Sequence, residues 1–362
     1  MKYWRGYLVG AIFLAISWAL IAFAKAHGVL VDMIYPYMAR LVMTNLATWS
    51  GGVSFCVWQI LLLTLIVAGI VSVILMIVLH WNFVQWGGWV AACICFLSLC
   101  NTVLFGLTPY TGPLAEDIRL EITDYTADEL AEAAAYFRDQ ANTLSGQFSR
   151  NRDGEPEYAD FDTLAKNAGD GFRVLTYDKA ISVFAGSTVP VKKSGGLANA
   201  KTVPLTGECC VNPDVRTVML PYVMCMEMSR RMCIDREADN NLAAFLACKY
   251  NPSPEFQYTA NCVAYYYCHH ALENLPTKDA ERKAEQLTKG QSPSLTEDLR
   301  SCKKVLGTPD RLSEETDTAD LLTCWYIQEF ITPLHKQEEL PFDPMDPAQV
   351  DLTYVPPVIP DE

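Results

Sequence analysis

Residues 220–248 form the most informative stretch of the chain, LPYVMCMEMSRRMCIDREADNNLAAFLAC. It reads as two consecutive helices over 218–234 and 237–249, with Asp235 as a candidate cap between them. The NPSP sequence at 251–254 then breaks the helical pattern. We therefore expect a mainly helical domain with this helix pair at its centre.

The first of these helices has an acid, Glu227, at its middle, preceded by Met226 and followed by Arg230. The layout is similar to the His-Glu-x-x-His helix of zinc proteases, in which both histidines bind Zn²⁺ and the glutamate activates a water molecule. Here Met226 and Arg230 occupy the histidine positions. A thioether is a poor zinc ligand and a guanidinium repels the cation. These residues alone predict an amphipathic helix with an exposed Glu227–Arg230 pair.

The rest of residues 108–340 reads as one soluble α+β domain. Thr126 and Glu129 form a capping box that opens a helix over 127–144. Residues 202–211 are predicted to form a strand. Further helices are expected over 161–168, 256–272, 278–287 and 320–331.

Residues 1–107 read as a transmembrane anchor. Three uncharged apolar runs cover residues 7–24, 53–79 and 84–107. Each is long enough, as a helix, to cross a hydrocarbon core of roughly 30 Å. The absence of charge inside the runs argues against an ion path or a transporter.

Basic residues set the expected orientation of this anchor. Lys2 and Arg5 precede the first run, which favours a cytoplasmic N-terminus. Three crossings would then place the C-terminal domain outside the cytoplasm, in a multi-pass protein of the cell membrane with lipid as a partner. The first run could instead be a cleaved signal sequence, because residues 22–24 (Ala-Phe-Ala) resemble a cleavage site, but its length favours an anchor.

The formal charge of −14 is unevenly divided. Residues 1–107 hold four basic residues and one acid, a net +3, whereas residues 108–362 hold 24 basic and 41 acidic residues, a net −17. Phosphate would repel such an acidic domain, which excludes a nucleic-acid partner. Residues 341–362 contain six prolines and several acids and are expected to be a disordered tail.

The 13 cysteines give little evidence of a disulfide framework. Nine lie in the soluble part, and an odd number cannot all pair within one chain. We interpret them mostly as free, buried thiols, with disulfides as the alternative and the adjacent Cys209 and Cys210 as a candidate redox or soft-metal site. His269 and His270 are adjacent on a helix and cannot chelate one metal together, so we interpret them as packing or surface residues. The four cysteines in the apolar runs are Cys56, Cys93, Cys95 and Cys100.

Over most of residues 1–275 the chain resembles an uncharacterised bacterial family, the domain of unknown function 3810 family, which is regarded as zincin-like. The helix pair carries most of the resemblance, which fades beyond Leu275. The matching segments are the three apolar runs, 113–116 (PLAE), 204–208 (PLTGE), 211–212 (VN), 220–230, 236–248 and 253–258 (SPEFQY).

Members of that family generally carry His-Glu-x-x-His where this chain has Met226 to Arg230. Asp239 stands at the natural place of a third ligand, where glutamate is expected. The resemblance implies a zincin-like fold, but the loss of both histidines implies that zinc is not a cofactor and that Glu227 is vestigial. Arg230 would then replace the metal's charge and bridge Glu227 and Asp239, with Met226 filling the remaining space.

We therefore expect a catalytically degenerate pseudo-peptidase that is anchored in the membrane and binds an envelope peptide or protein partner. Two alternatives stay open. The first is an active membrane metallopeptidase with unconventional ligands such as Glu227, Asp239 and Cys225. The second is a structural envelope scaffold whose partners dock away from the cleft.

Overall fold

The computed structural model describes residues 4–195, 200–309 and 317–333. Three of its helices are long and apolar enough to cross a membrane, as predicted. They are α1 (Arg5–Ala26), α3 (Val57–Val78) and α4 (Phe83–Asn101), the last of which continues in helical turns to Tyr110. A mostly helical domain follows the last span. The tail predicted over 341–362 lies outside the described residues.

Small residues hold the first and third spans together. Gly6 and Gly10 of α1 lie against Gly88 and Ala92 of α4. A Cβ atom on Gly6 would lie 2.3 Å from the carbonyl carbon of Gly88, so only glycine permits this backbone approach. Such close van der Waals packing is what associates helices within lipid. Within the described structure, α3 buries no side chain and is apolar on all sides.

The segment between the first two spans is a 24-residue helix, α2 (Gly28–Gly51), which the sequence pattern did not predict. Its sequence lacks the long uncharged run of a span, because Asp32 and Arg40 lie within it. Its apolar residues occupy two opposite faces, so it also lacks the one-sided pattern of a soluble helix. One face packs on the soluble domain and buries Ala39, Met43 and Ala47. The segment is therefore part of the domain's surface.

Helices form most of the soluble domain. In chain order they are α5 (Leu114–Asp117), α6 (Ala127–Ser145), α7 (Phe161–Arg173), α8 (Leu220–Arg231), α9 (Glu237–Lys249), α10 (Pro254–Glu273), α11 (Lys278–Lys289), α12 (Pro293–Leu306) and α13 (Thr318–Tyr326). The predicted capping box of Thr126 and Glu129 starts α6. The sequence pattern did not predict α12, whose first turn is capped by Ser292.

The predicted helix pair, α8 and α9, is present near its expected bounds. The turn between the two helices passes through Cys233, whose φ of +66° is rare for a residue with a side chain. Asp235 is not the cap of α9, because Arg236 holds the N-cap position and makes no side-chain cap hydrogen bond. The direction in which α9 leaves this turn therefore depends on tertiary packing.

The strand predicted over 202–211 is in fact two strands. β2 (Ala200–Val203) and β3 (Glu208–Val211) pair antiparallel around a turn in which Gly207 has a φ of +66°. β1 (Lys192–Lys193) pairs parallel to β3, and the order in the sheet is β1-β3-β2. The small sheet packs against α8 and α2. Through its contact with α2, the sheet connects the domain to the anchor segment.

The hydrophobic core surrounds α9, which packs against α7, α8, α10 and α13. α7 approaches so closely that a Cβ atom on Gly171 would lie 1.8 Å from the carbonyl oxygen of Ala247.

The thirteen cysteines are free thiols in this structure, and most of those in the domain are buried as small apolar side chains. Burial raises the pKa of the Cys248 and Cys262 thiols, which disfavours the reactive thiolate.

A buried ion pair joins the sheet to the second span. The two carboxylate oxygens of Glu208 accept hydrogen bonds from the backbone N–H groups of Val57 and Trp58, both at 2.8 Å. Lys192 Nζ lies 2.7 Å from Glu208 Oε1 and also donates to the Ser50 carbonyl oxygen at 2.7 Å. A carboxylate at the first turn of α3 also complements the helix dipole. The start of α3 is therefore fixed to the soluble domain.

Two further contacts hold the sheet against α2 and the start of α3. A Cβ atom on Gly207 would lie 2.5 Å from the Ala47 nitrogen and 2.7 Å from the Met43 oxygen, so the turn sits directly on α2. Cys56, which the apolar runs placed within a span, instead holds the N-cap position of α3. Its sulfur lies 2.8 Å from that of Cys210 in β3.

Candidate functional site

The predicted site residues of α8 lie against the sheet. Glu227 is 1% exposed and points toward β2, where its Oε2 lies 2.7 Å from Thr202 Oγ1. Its Oε1 accepts a hydrogen bond from Arg230 Nη1 at 2.6 Å, across one helical turn. The backbone oxygen of Glu227 also accepts from Cys209 Sγ at 3.1 Å. Both carboxylate oxygens are thus engaged by protein groups.

Burial controls the ionisation of this acid. Desolvation raises the pKa of Glu227, and the Arg230 charge and the hydrogen bond from Thr202 oppose that rise. The pair predicted to be exposed therefore has one buried member, Glu227. The Arg230 side chain, which is 33% exposed, brings a fixed positive charge to the edge of the site.

Arg230 has a second acidic neighbour, but this neighbour is not the predicted one. Its Nε lies 3.8 Å from Asp235 Oδ1, in the turn between α8 and α9. The hydrogen-bond network of Asn240 is satisfied when its amide oxygen accepts from Arg230 Nε at 3.2 Å and its nitrogen donates to the Met226 oxygen at 3.0 Å. Among the described residues, no ion pair links Arg230 to Asp239. The predicted bridge between Glu227 and Asp239 is therefore wrong at Asp239.

Asp239 has a different environment in the first turn of α9. It is largely buried and accepts a hydrogen bond from the backbone N–H of Leu114, at the start of α5. Burial raises the pKa of Asp239, the hydrogen bond and the charge of Arg236 lower it, and the nearby Asp117 raises it further. Asp239 thus joins α9 to the segment that leaves the membrane, while Glu227 joins α8 to the sheet.

The residues present do not fit the zinc ion that the family resemblance implies. Met226 and Arg230 offer a thioether and a guanidinium where imidazoles are needed. Among the residues that the structure describes, no group of three or more His, Cys, Asp or Glu side chains is arranged to hold a metal ion. Cys225, the proposed unconventional ligand, is fully buried, and its sulfur is directed at the Ala168 carbonyl oxygen at 3.9 Å.

Of the other candidates from the sequence, Cys209, Cys210 and His269 contact neighbouring protein groups, whereas His270 lines a cleft. Cys209 donates to the Glu227 backbone, whereas Cys210 contacts Cys56, so the adjacent thiols have separate partners. His269 Nε2 lies 2.9 Å from Thr288 Oγ1 and 3.1 Å from the Ala284 carbonyl oxygen, which ties α10 to α11. This agrees with the packing interpretation of His269.

A cleft of about 960 Å³ opens beside Asp239. Its walls come from five places: the segment after α4, the start of α9, one side of α10, the end of α12 with the residues that follow it, and the start of α13. Apolar side chains such as Leu120, Ile122 and Tyr267 line its floor together with charged groups. The cleft's charged and titratable lining residues are Glu116, Arg236, Glu237, Asp239, His270 and Asp317.

Acids outnumber bases in this lining. Glu116 and Glu237 are exposed on the cleft wall, so their charges are available to a ligand. Of these residues, sequence reasoning singled out Asp239 as a candidate site position. Glu116, His270 and Asp317 are far from it along the chain, so no local pattern connects them with it. The sequence does hold one indication of the cleft acids. Glu237 and Asp317 lie at helix starts, where acids complement the helix dipole. The arrangement suits a ligand that combines positive charge with apolar groups.

Comparison with known proteins gives a family but no activity. A family model described as a protein of unknown function, DUF3810, matches residues 31–317. Neither the curated proteins nor the solved structures gave a match. The matched residues run from α2 through two spans and the α8–α9 pair, and make up more than half of the 362 residues. The chain therefore belongs to the DUF3810 family.

Proposed function

We propose that this protein is a catalytically degenerate zincin-like protein, anchored in the cell membrane, that binds a peptide or protein segment on the extracytoplasmic side. The observation that carries this proposal is the pairing of Glu227, whose two oxygens are engaged by Arg230 and Thr202. A general base must lie within hydrogen-bond reach of the proton it removes. Glu227 is instead buried against its own protein partners.

The alternative of a peptidase with unconventional ligands has less support. Glu227 faces the sheet, Asp239 lines the cleft and Cys225 lies within the core. These three side chains point to different partners, so no shared metal position follows from them. The basic residues Lys2 and Arg5 before the first span support the extracytoplasmic placement of the domain.

The cleft supports a role in binding. Its volume of about 960 Å³ can hold a short peptide segment. Glu116, Glu237 and Asp239 give it negative charge, which favours a segment with lysine or arginine next to apolar residues. Pro109, at the end of the last span, and Pro113, just after it, form one border, so a bound segment would lie near the membrane surface.

A peptidase assay on the full-length protein in lipid nanodiscs tests the loss of catalysis. We expect no cleavage of a mixed peptide library by the parent protein, either with added Zn²⁺ or with a chelator. Cleavage by the parent that is abolished in the Glu227→Gln variant would overturn the proposal.

A binding assay tests the cleft. Fluorescent decapeptides containing lysine and leucine are compared with matched peptides in which glutamate replaces lysine. We expect the cationic peptides to bind, and the Glu116→Lys/Glu237→Lys variant to weaken their binding at least tenfold. Asp178, which is exposed and outside the cleft, provides the matched control Asp178→Lys. Equal binding of both peptide sets, or an equal effect of the control, would contradict the cleft assignment.

A further inference from the structure

We propose that the outward face of α2 lies in the interfacial layer of the lipid bilayer, so that the soluble domain rests on the membrane through this helix. The inference is independent of the proposed function. It starts from four large side chains on α2 that are strongly exposed: Val29 (89%), Met33 (70%), Tyr37 (67%) and Trp49 (74%).

The helix has two different apolar faces. The inner face buries Ala39, Met43 and Ala47 against the domain, and it buries Val31 against Ala24 and Leu107 at the ends of the first and third spans. The outward face carries a continuous set of exposed apolar side chains at helical spacing. These are Val29, Leu30, Met33, Ile34, Tyr37, Met38, Leu41 and Val42. Beyond them, after the exposed polar residues Asn45 and Thr48, Trp49 is also exposed.

The rest of the soluble domain has no comparable surface among its described residues. Its large exposed apolar side chains, Ile122, Tyr177, Val305 and Phe330, are far apart in the chain. Soluble surfaces rarely expose a contiguous apolar patch of this size, and such a patch marks a contact with a membrane or a protein. The outward face of α2 therefore requires an apolar environment.

Chain continuity identifies that environment as lipid. One residue separates α2 from α1, and five residues separate it from α3. Both of these neighbouring helices are membrane spans. Both ends of α2 are thus held at the membrane surface. A helix of 24 residues is about 36 Å long, so it can lie along that surface between the two spans. Tyr37 and Trp49 are aromatic residues of the kind that favour the interface.

The charges of α2 agree with this placement. Asp32 and Arg40 are its only charged residues. Asp32 Oδ1 accepts from the Gly112 N–H at 2.6 Å, and Arg40 Nη1 donates to the Val183 carbonyl oxygen at 2.5 Å. Both charges are therefore used in contacts with the domain. An uncharged apolar face can enter lipid even though residues 108–362, which include the domain behind it, carry a net −17.

Photo-crosslinking in vesicles tests the proposal. The benzophenone amino acid p-benzoylphenylalanine replaces Tyr37 in one full-length variant, Met33 in a second, and Tyr177 in a matched control that is 79% exposed on the domain. The vesicles contain phosphatidylethanolamine, phosphatidylglycerol and an alkyne-tagged phospholipid. We expect lipid adducts at positions 37 and 33 at least tenfold above those at position 177, with near-ultraviolet circular dichroism unchanged.

Other products would overturn the proposal. A crosslink from positions 37 and 33 to a second copy of the chain, in place of lipid, would make this face a dimer interface. Lipid labelling equal to that at position 177 would show that the face is exposed to water.

Discussion

At the scale of single residues, the pairing of Glu227 with Arg230 explains why a buried acid is tolerated in α8. A buried carboxylate without a partner is costly, and a nearby guanidinium offsets that cost. Arg230 has two roles here. It supplies positive charge to Glu227, and its Nε donates a hydrogen bond to the amide oxygen of Asn240. Thr202 completes the partners of the carboxylate.

This leads to a prediction about stability. The Arg230→Met variant leaves Glu227 buried without its cation, and we expect it to lower the free energy of unfolding by about 2–3 kcal/mol. This is below the value for a fully buried pair, because the Arg230 side chain is 33% exposed. The Glu227→Gln/Arg230→Met double variant should recover at least half of the loss. Denaturant unfolding of the parent, both single variants and the double variant in detergent gives the coupling energy, and a double variant as unstable as Arg230→Met would contradict the pairing.

A second prediction concerns Asp239 and pH. Because burial raises its pKa in the folded state, the folded protein binds more protons than the unfolded chain as pH rises above the ordinary value of 3.8. The contribution of Asp239 to stability is therefore complete at low pH and is lost as pH rises through the folded-state pKa. We expect Asp239→Asn, which keeps an acceptor for the Leu114 N–H, to raise Tm at pH 7.5 and to match the parent near pH 4.

Melting curves across this pH range provide the measurement. Asp178→Asn changes the same charge on an exposed side chain and serves as the control. A Tm difference for Asp239→Asn that does not change with pH would contradict the burial explanation.

At the scale of elements, the contacts among α2, the sheet and α3 attach the soluble domain to the membrane spans. Lys192 and Glu208 fix the start of α3, and Gly207 brings the β2–β3 turn onto α2. The ion pair is buried, so its two members depend on each other. The sheet thus holds the anchor, while the helices of the domain form the cleft.

Substitution of Gly207 tests these contacts. Alanine there would be strained by the positive φ and would also meet the backbone of α2 at 2.5 Å. Gly154→Ala is a matched control, since Gly154 has a φ of +78° and open space around its Cα. We expect the control to cost about 1 kcal/mol and Gly207→Ala at least 2 kcal/mol more, with faster proteolysis near residues 27–56. Equal effects of the two substitutions would show that α2 does not press on the turn.

At the scale of the whole molecule, the structure requires that α2 and the soluble domain lie on the same side of the membrane. α2 packs on the domain, and α3 and α4 together cross the bilayer twice between them. The start of α1, at Arg5, then lies on the opposite side. This relation holds whichever side faces the cytoplasm.

Reporter fusions can test this topology. Alkaline phosphatase, which is active only outside the cytoplasm, is fused after residue 53 and after residue 333 in a bacterial host. We expect activity from both fusions, because α2 and the domain share a side and Lys2 and Arg5 favour a cytoplasmic N-terminus. A fluorescent protein at the N-terminus is the complementary control. Activity in only one of the two fusions would contradict the shared side.

The sequence by itself determined the features that depend on local pattern. Uncharged runs gave the three spans, the Thr126–Glu129 pair gave the start of α6, and the 220–248 stretch gave the α8–α9 pair. Each signal lies within a few helical turns, where composition and spacing are sufficient. Residue identity alone likewise removed the usual zinc ligands, because methionine and arginine stand where both histidines would be.

Only the tertiary structure decided which groups meet. It showed α2 as a helix, because its two apolar faces are explained by a domain on one side and an exposed surface on the other. It gave Arg230 the partner Asp235 in place of Asp239, because Asp235 lies in the turn after α8 whereas Asp239, in α9, bonds the Leu114 backbone. It also gathered the cleft acids from distant segments. Such contacts depend on how helices pack, and helix packing joins residues that no local pattern connects.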